Sequence, residues 1–165
     1  MIDLDWITTD LAVGGSFPNA AVEVLARDHT VAAVIDVRLE AHDDEQILRA
    51  HGLSLLHLPT ADHCAVAPGM LEDGVAFAAR HHEVGGRVLI HCEHGIGRSA
   101  LVALCVLVDR GHEPLAALAL AKDRRAQVSP SPAQYEAWVG WLLARGAAPP
   151  TFAEFAAIAY RHLKG

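Results

Sequence analysis

The chain has little of what marks a membrane, secreted or nucleic-acid-binding protein. No apolar run among its 165 residues approaches the roughly 20 needed to cross a bilayer. Its first residues, Met1-Ile2-Asp3-Leu4-Asp5, are acidic where a secretory signal is basic. Cysteine is sparse: Cys64, Cys92 and Cys105 make an odd set of three. Such a set builds no disulfide framework and fits a reducing compartment, so a cytoplasmic location is expected. Positive charge is also in deficit. Thirteen Lys and Arg against twenty Asp and Glu give a net charge of −7, which disfavours nucleic acid or an anionic membrane as partner. No internal repeat or low-complexity tract interrupts the chain. What remains is a 52% hydrophobic composition, long enough to bury one core. A single monomeric domain over residues 1–165 is expected, with residues 151–163 as a C-terminal helical extension.

Apolar periodicity predicts alternating strands and helices. Short strands at Trp6-Ile7 and Leu11-Ala12-Val13 form a hairpin before a Gly14-Gly15 turn. Residues 18–29 have helical spacing, with Ser16 placed as a cap and Pro18 in the first turn. Residues 30–37 are a continuous β-branched run, the kind buried on both faces of a parallel sheet. A polar stretch at 40–46 leads into a short helix ending near His51-Gly52, and residues 53–58 read as the next strand. A helix over 70–84 stops at Gly85-Gly86, and residues 88–91 form the strand that delivers Cys92. Helices are then expected at 98–110, 114–125 and 132–145. Ala147-Ala148-Pro149-Pro150 separates these from a last helix over 151–163. The alternation predicts an α/β fold, a central mainly parallel sheet flanked by helices. Ligands of such sheets bind beyond the carboxyl ends of the strands, so residues 92–97, 59–68 and 36–40 should converge at one end.

The most informative segment is His91-Cys92-Glu93-His94-Gly95-Ile96-Gly97-Arg98-Ser99. It joins an apolar strand to an apolar helix. A cysteine at such a turn faces backbone N–H groups and the positive end of the helix dipole, which favour thiolate and attract anions. Gly95 and Gly97 let the backbone curl so that amides of Glu93, His94, Gly95, Ile96, Gly97 and Arg98 point at one oxyanion. Arg98 adds a planar fork suited to two phosphate oxygens. The segment reads as a phosphate cradle with a nucleophile at its floor.

This pattern resembles the H-C-x2-G-x-G-R-S signature of the cysteine-dependent protein tyrosine and dual-specificity phosphatases. A cysteine and an arginine six positions apart are weak evidence alone; the whole signature between a strand and a helix is strong. The resemblance implies a two-step hydrolysis of a phosphate monoester through a phosphocysteine, without metal or other cofactor. It implies Cys92 as nucleophile, Arg98 and the loop amides as phosphate receptors, and Ser99 as a hydroxyl donor to the sulfur. A first-turn serine satisfying a helix N–H is the plainer reading of Ser99, and the two are compatible. His91 is expected to orient the loop rather than act as a base. The segment 58–68, Leu-Pro-Thr-Ala-Asp-His-Cys-Ala-Val-Ala-Pro, is similar to the family's general-acid loop, which makes Asp62 the proton donor. Asp36 is the rival acid. Residues 122–135 resemble the region where glutamines position the hydrolytic water. Pro130 occupies one of those positions and only Gln134 remains; a solvent-facing glutamine at a helix start is an equal reading of it. Arg124 and Arg125 are expected to serve a helix C-terminus.

Eleven histidines raise the question of a metal, but His81-His82 and His91-Cys92-His94 lack the spacing of a closed zinc site. Cys64, two residues from Asp62, is a possible redox partner of Cys92. The expected substrate is a phosphorylated protein or small phosphate monoester. The loop has no lysine, and Glu93 opposes several phosphates at once, so phosphotyrosine is preferred to an inositol polyphosphate. Any aromatic clamp for the substrate must come from Phe17 or from the C-terminal helices, since Tyr135 and Tyr160 both lie late in the chain. An inositol phosphate or phosphoinositide phosphatase, a catalytically silent phosphate-recognition module and a sulfurtransferase are the alternatives.

Overall fold

A computed structural model describes residues 1–164. Five strands, β1 (Leu4–Trp6), β2 (Leu11–Gly14), β3 (Val31–Arg38), β4 (Ser54–Thr60) and β5 (Arg87–His91), form one sheet in the order β1-β2-β5-β3-β4. β1 pairs antiparallel with β2, and the other neighbours are parallel. The predicted α/β architecture is therefore observed. β3 lies between β4 and β5, and its run of Val, Ala and Ile is buried because both sheet faces are covered. Alternation sorts its side chains. Ala33, Ile35 and Val37 join Ile90 on one face, while Val34 joins Leu89 on the other.

The second face is covered by α1 (Val22–Arg27) and α2 (Glu45–Ala50), which contribute Val22, Leu25 and Leu48. The first is covered by α3 (Pro68–Glu83), α4 (Arg98–Asp109), α5 (Pro114–Arg124) and α6 (Pro132–Ala144). α4 is central to this layer, and every residue from 98 to 107 is buried. Each of Leu101, Leu104 and Leu107 contributes about 1.5–3 kcal/mol through that burial, and truncation of one to alanine costs about 2–5 kcal/mol. α7 (Phe152–Ala159) packs on α5 and seats Phe155 and Ala159 in the same core. No helix among the described residues is long and apolar enough to cross a membrane.

Two local expectations need correction. Residues 18–29 divide into a 3-10 turn, Asn19–Ala21, and the short α1. Ser16 does not cap it; its backbone N–H and hydroxyl instead donate to Glu93, at 3.0 and 3.2 Å. The last helix stops at Ala159, with Tyr160 as its C-cap, and a 3-10 turn follows over Arg161–Lys164. The parallel strands send the segments after β3, β4 and β5 to the same end of the sheet.

Candidate active site

Cys92 follows β5 directly and is buried. Its Sγ lies 3.2 Å from Ser99 Oγ and accepts the N–H of Gly95 at 3.3 Å. The side chain of Ser99 makes no cap bond at the α4 N-terminus and faces the sulfur instead. Gly95 sits in the left-handed region, at φ +66°, and an added Cβ would come within 2.6 Å of the Gly14 carbonyl. At Gly97 a Cβ would stand 2.4 Å from Gln134 Oε1. Gly95 is thus required by its backbone conformation and the tightness of the loop, while a side chain at Gly97 would displace the Gln134 amide.

Arg98 opens α4, and its guanidinium turns back under the loop with 1% exposure. Nη1 donates to the Thr60 carbonyl at 2.9 Å and to Glu40 Oε1 at 2.7 Å, and Nη2 donates to Glu40 Oε2 at 2.9 Å. Glu40 therefore takes the end-on fork. The side-on fork keeps its Nε unpartnered among the described residues, 3.5 Å from Asp62 Oδ1. Burial works against the charge of Arg98, but Glu40, Cys92 and Asp62 more than offset it, and its pKa is raised. The Arg98 hydrogen bonds hold the Glu40 carboxyl at about 2.

A cleft of about 320 Å³ opens above the sulfur. Cys92, Asp62, His63, Ile96, Gln134 and Tyr160 are among the residues that line it. Asp62 is half-exposed, and its loop is tethered from α6: Ser131 Oγ donates to the His63 carbonyl at 2.8 Å and Gln134 Nε2 to the Cys64 carbonyl at 3.2 Å. These bonds hold His63 at φ +64°, an unusual conformation in which histidine is among the more tolerated residues. Gln134 is buried rather than solvent-facing. Its Oε1 accepts from Ser131 N–H while Ser131 Oγ accepts from Gln134 N–H, a capping box that fixes the side chain against the loop. Cys64 is exposed and is not part of the cleft wall, whereas Cys105 is buried in α4 with its thiol pushed well up by burial.

Behind the loop lies a second charged layer. Asp36 is fully buried and accepts from Arg38 Nε at 3.0 Å, Arg38 Nη2 at 3.1 Å and the Asp43 N–H at 2.9 Å. With its oxygens committed it is no acid facing a substrate, and the rival assignment falls. Asp43 Oδ2 meets His91 Nε2 at 2.6 Å, and His91 Nδ1 meets the Cys92 carbonyl at 3.2 Å. His91 thus bridges the nucleophile's backbone and a buried carboxylate. Asp36, Asp43 and His91 offer ligand atoms within 4.8 Å of one another. Arg38 already lies between the two carboxylates, so a cation there would displace a guanidinium. Arg38 Nη1 also reaches Glu93 at 3.4 Å. This corrects the argument from Glu93: its charge is drawn to Arg38 and Ser16 and is not part of the cleft wall.

Arg125 is the largest departure from expectation. It ends α5, yet its side chain is buried against the loop, where Nε donates to the Gly95 carbonyl at 2.8 Å and Nη2 to the His94 carbonyl at 2.9 Å. Asp3 and Asp5 of the first strand region accept its remaining N–H groups at 2.9 to 3.0 Å. The sequence carried a signal for this, a paired arginine shortly before α6, but nothing that pointed to the loop. Glu40 was equally unmarked beyond its place after a strand.

Residues 15–141 match the family described as dual specificity phosphatase, catalytic domain. The human dual specificity protein phosphatase 5 is 29% identical over 123 residues, covering 73% of this chain and 31% of that protein. The rat protein of the same name is 28% identical over 123 residues. The chain thus spans about a third of the length of these curated relatives. Among solved structures, PTPMT1 in complex with PI(5)P superposes with a TM-score of 0.78 at 24% identity, over 86% of this chain and 97% of that one. Human DUSP28 gives 0.77 at 25% identity, over 87% and 95%. The shared fold and a match that runs from just after β2 through the phosphate loop into α6 lead to one conclusion: the chain belongs to the dual specificity phosphatase catalytic-domain family.

Proposed function

We propose that the chain hydrolyses phosphate monoesters in two steps through a phosphocysteine, as a protein-tyrosine or dual-specificity phosphatase. The observation that supports this most directly is the sulfur of Cys92, held by Ser99 and Gly95 in one cleft with Asp62. In the first step Sγ attacks phosphorus, an S–P bond forms and the ester P–O bond breaks. Asp62 delivers its proton to the departing oxygen. Arg98, through Nε and the second hydrogen of Nη2, and the amides of residues 93–98 receive the charge on the equatorial oxygens. In the second step water attacks phosphorus, the Asp62 carboxylate takes its proton, and the thiolate leaves toward the Ser99 hydroxyl and the Gly95 N–H. Gln134 spends one Nε2 hydrogen on Cys64, and the other is available to orient that water.

We read residues 1–165 as one phosphatase domain, monomeric and cytoplasmic, with residues 151–163 as its C-terminal extension. The net charge of −7 supports a substrate other than nucleic acid or an anionic membrane. PTPMT1 was crystallised with PI(5)P, so a phosphoinositide is the competing substrate class. Against it here, beyond Arg98 the cleft adds no lysine or arginine among the described residues for further phosphates. The test is turnover of an aryl phosphate with acid-quench capture of the phosphoenzyme. Wild type should form it and Cys92→Ser should not. Turnover by the serine variant above about a hundredth of wild type would contradict obligatory covalent catalysis.

A further inference from the structure

Resting on the phosphatase reading, we propose that Tyr160 is a specificity-determining residue that provides a wall for an aromatic leaving group. The match to the family ends at residue 141, so α7 and its C-cap lie outside the shared catalytic region. Yet Tyr160 lines the same cleft as Cys92, together with Ile96, Gly97, Ser129 and Pro132. Apart from Tyr160 these are apolar or small groups, with Ile96 38% exposed on the loop itself. Asp62 and His63 line the same cleft, with the His63 carbonyl bonded to Ser131. A phosphoester seated on the loop therefore finds both an acid and a ring within one cleft.

The ring of Tyr160 is preorganised. Its hydroxyl donates to the Pro130 carbonyl, and burial raises its pKa, so the anchor stays a donor at neutral pH. Phe155 meets it edge-on, with centroids 5.8 Å apart at 90°, and Phe152 lies 6.3 Å away. Phe155 is fully buried, which ties this aromatic group to the core. The side chain remains only partly buried, leaving area for a ligand to cover. Aromatic pairs of this kind add to the burial of area, and a ring already held loses little freedom when a second one packs on it. A cleft of about 320 Å³ is at the small end of ligand sites, roughly 300–1,000 Å³. That suits a phosphorylated phenol better than an inositol ring bearing several phosphates, for which the cleft wall adds no fixed cation beyond Arg98.

The test compares phosphotyrosine and phosphoserine in one peptide sequence, with inhibition by inorganic phosphate as a measure of the cradle alone. Wild type should prefer the phosphotyrosine peptide. Tyr160→Ala should lower kcat/KM for it by about tenfold, mainly through KM. Phosphoserine turnover should change by less than about twofold, and phosphate inhibition should stay as in wild type. Tyr160→Phe keeps the ring but loses the Pro130 anchor, and it should retain most of the preference. If Tyr160→Ala is too unstable to assay, Tyr160→Leu keeps the bulk without the aromatic face and should show the same selective loss. Equal losses on both peptides, or a wild-type preference for phosphoserine or a soluble inositol phosphate, would overturn the wall while leaving the phosphatase reading intact. No wild-type turnover of any phosphoester would instead overturn the phosphatase reading itself.

Discussion

Two buried arginines approach the phosphate loop from different sides, and they differ in what they leave undone. Arg125 has its N–H groups engaged by two loop carbonyls and two aspartates. Arg98 is as deeply buried, yet its Nε has no partner among the described residues. A buried donor without an acceptor is costly, and native structures keep few of them. The same contrast separates the carboxylates: Asp36 behind the loop is saturated, while Asp62 in front is half-exposed. Groups that build the loop are satisfied in the resting state; groups proposed to do chemistry hold a valence in reserve.

Substitutions can break this distinction. The largest effect is expected at Arg98→Lys, where a point charge replaces the fork: kcat/KM should fall by about 10³ with little change in Tm. Asp62→Asn should follow, at about 10² on a phosphoserine peptide and less on an aryl phosphate with a good leaving group. It should also erase the limb of the pH profile on which activity falls as pH rises, because that limb reports loss of the acid's proton. Arg125→Lys should reverse the balance. Leaving loop carbonyls unpaired should cost about 1–3 kcal/mol of stability, read as a fall in Tm, with only about tenfold lost in activity. A loss at Arg125→Lys as deep as that at Arg98→Lys, with Tm unchanged, would end the division into building and working arginines.

Glu40→Gln gives the smallest expected effect, less than about tenfold in kcat/KM, because the amide still accepts from one arm of the fork. Its pH behaviour is the sharper measurement. The pKa of Glu40 is depressed in the folded protein, so the contribution of its ion pair is complete above the ordinary carboxylate range. It is lost only as pH falls through about 2. Glu40 therefore titrates below the range in which activity is measured, and Glu40→Gln should leave the acid limb of the profile where wild type has it.

What could be read in advance follows the distance along the chain. The β-branched run that became β3 was legible because burial on both faces leaves an unbroken apolar string. Cys92, Gly95, Gly97, Arg98 and Ser99 were legible because one turn brings them together. Glu40 was not, since its contact with Arg98 spans 58 positions. Nor was the bond from Arg125 to Gly95, which spans 30. Ser16 was misread as a helix cap because its partner, Glu93, lies 77 positions away. Residue type announced the chemistry at each of these sites, but the pairing depended on which strands lie side by side.

The clasp between Arg125 and the first strand has a consequence for how the protein is made. Asp3 leaves the ribosome well before its partner, which follows 122 positions later. Domains form as units once their chain has emerged, and closing so long a loop precedes any reward from the contact. A nascent chain that has exposed Cys92 but not yet Arg125 carries the thiol without the finished cradle. The loop is completed only when Arg125 reaches back to Asp3 and Asp5, so phosphate-binding capacity should arrive after Arg125 has emerged, later than the nucleophile itself.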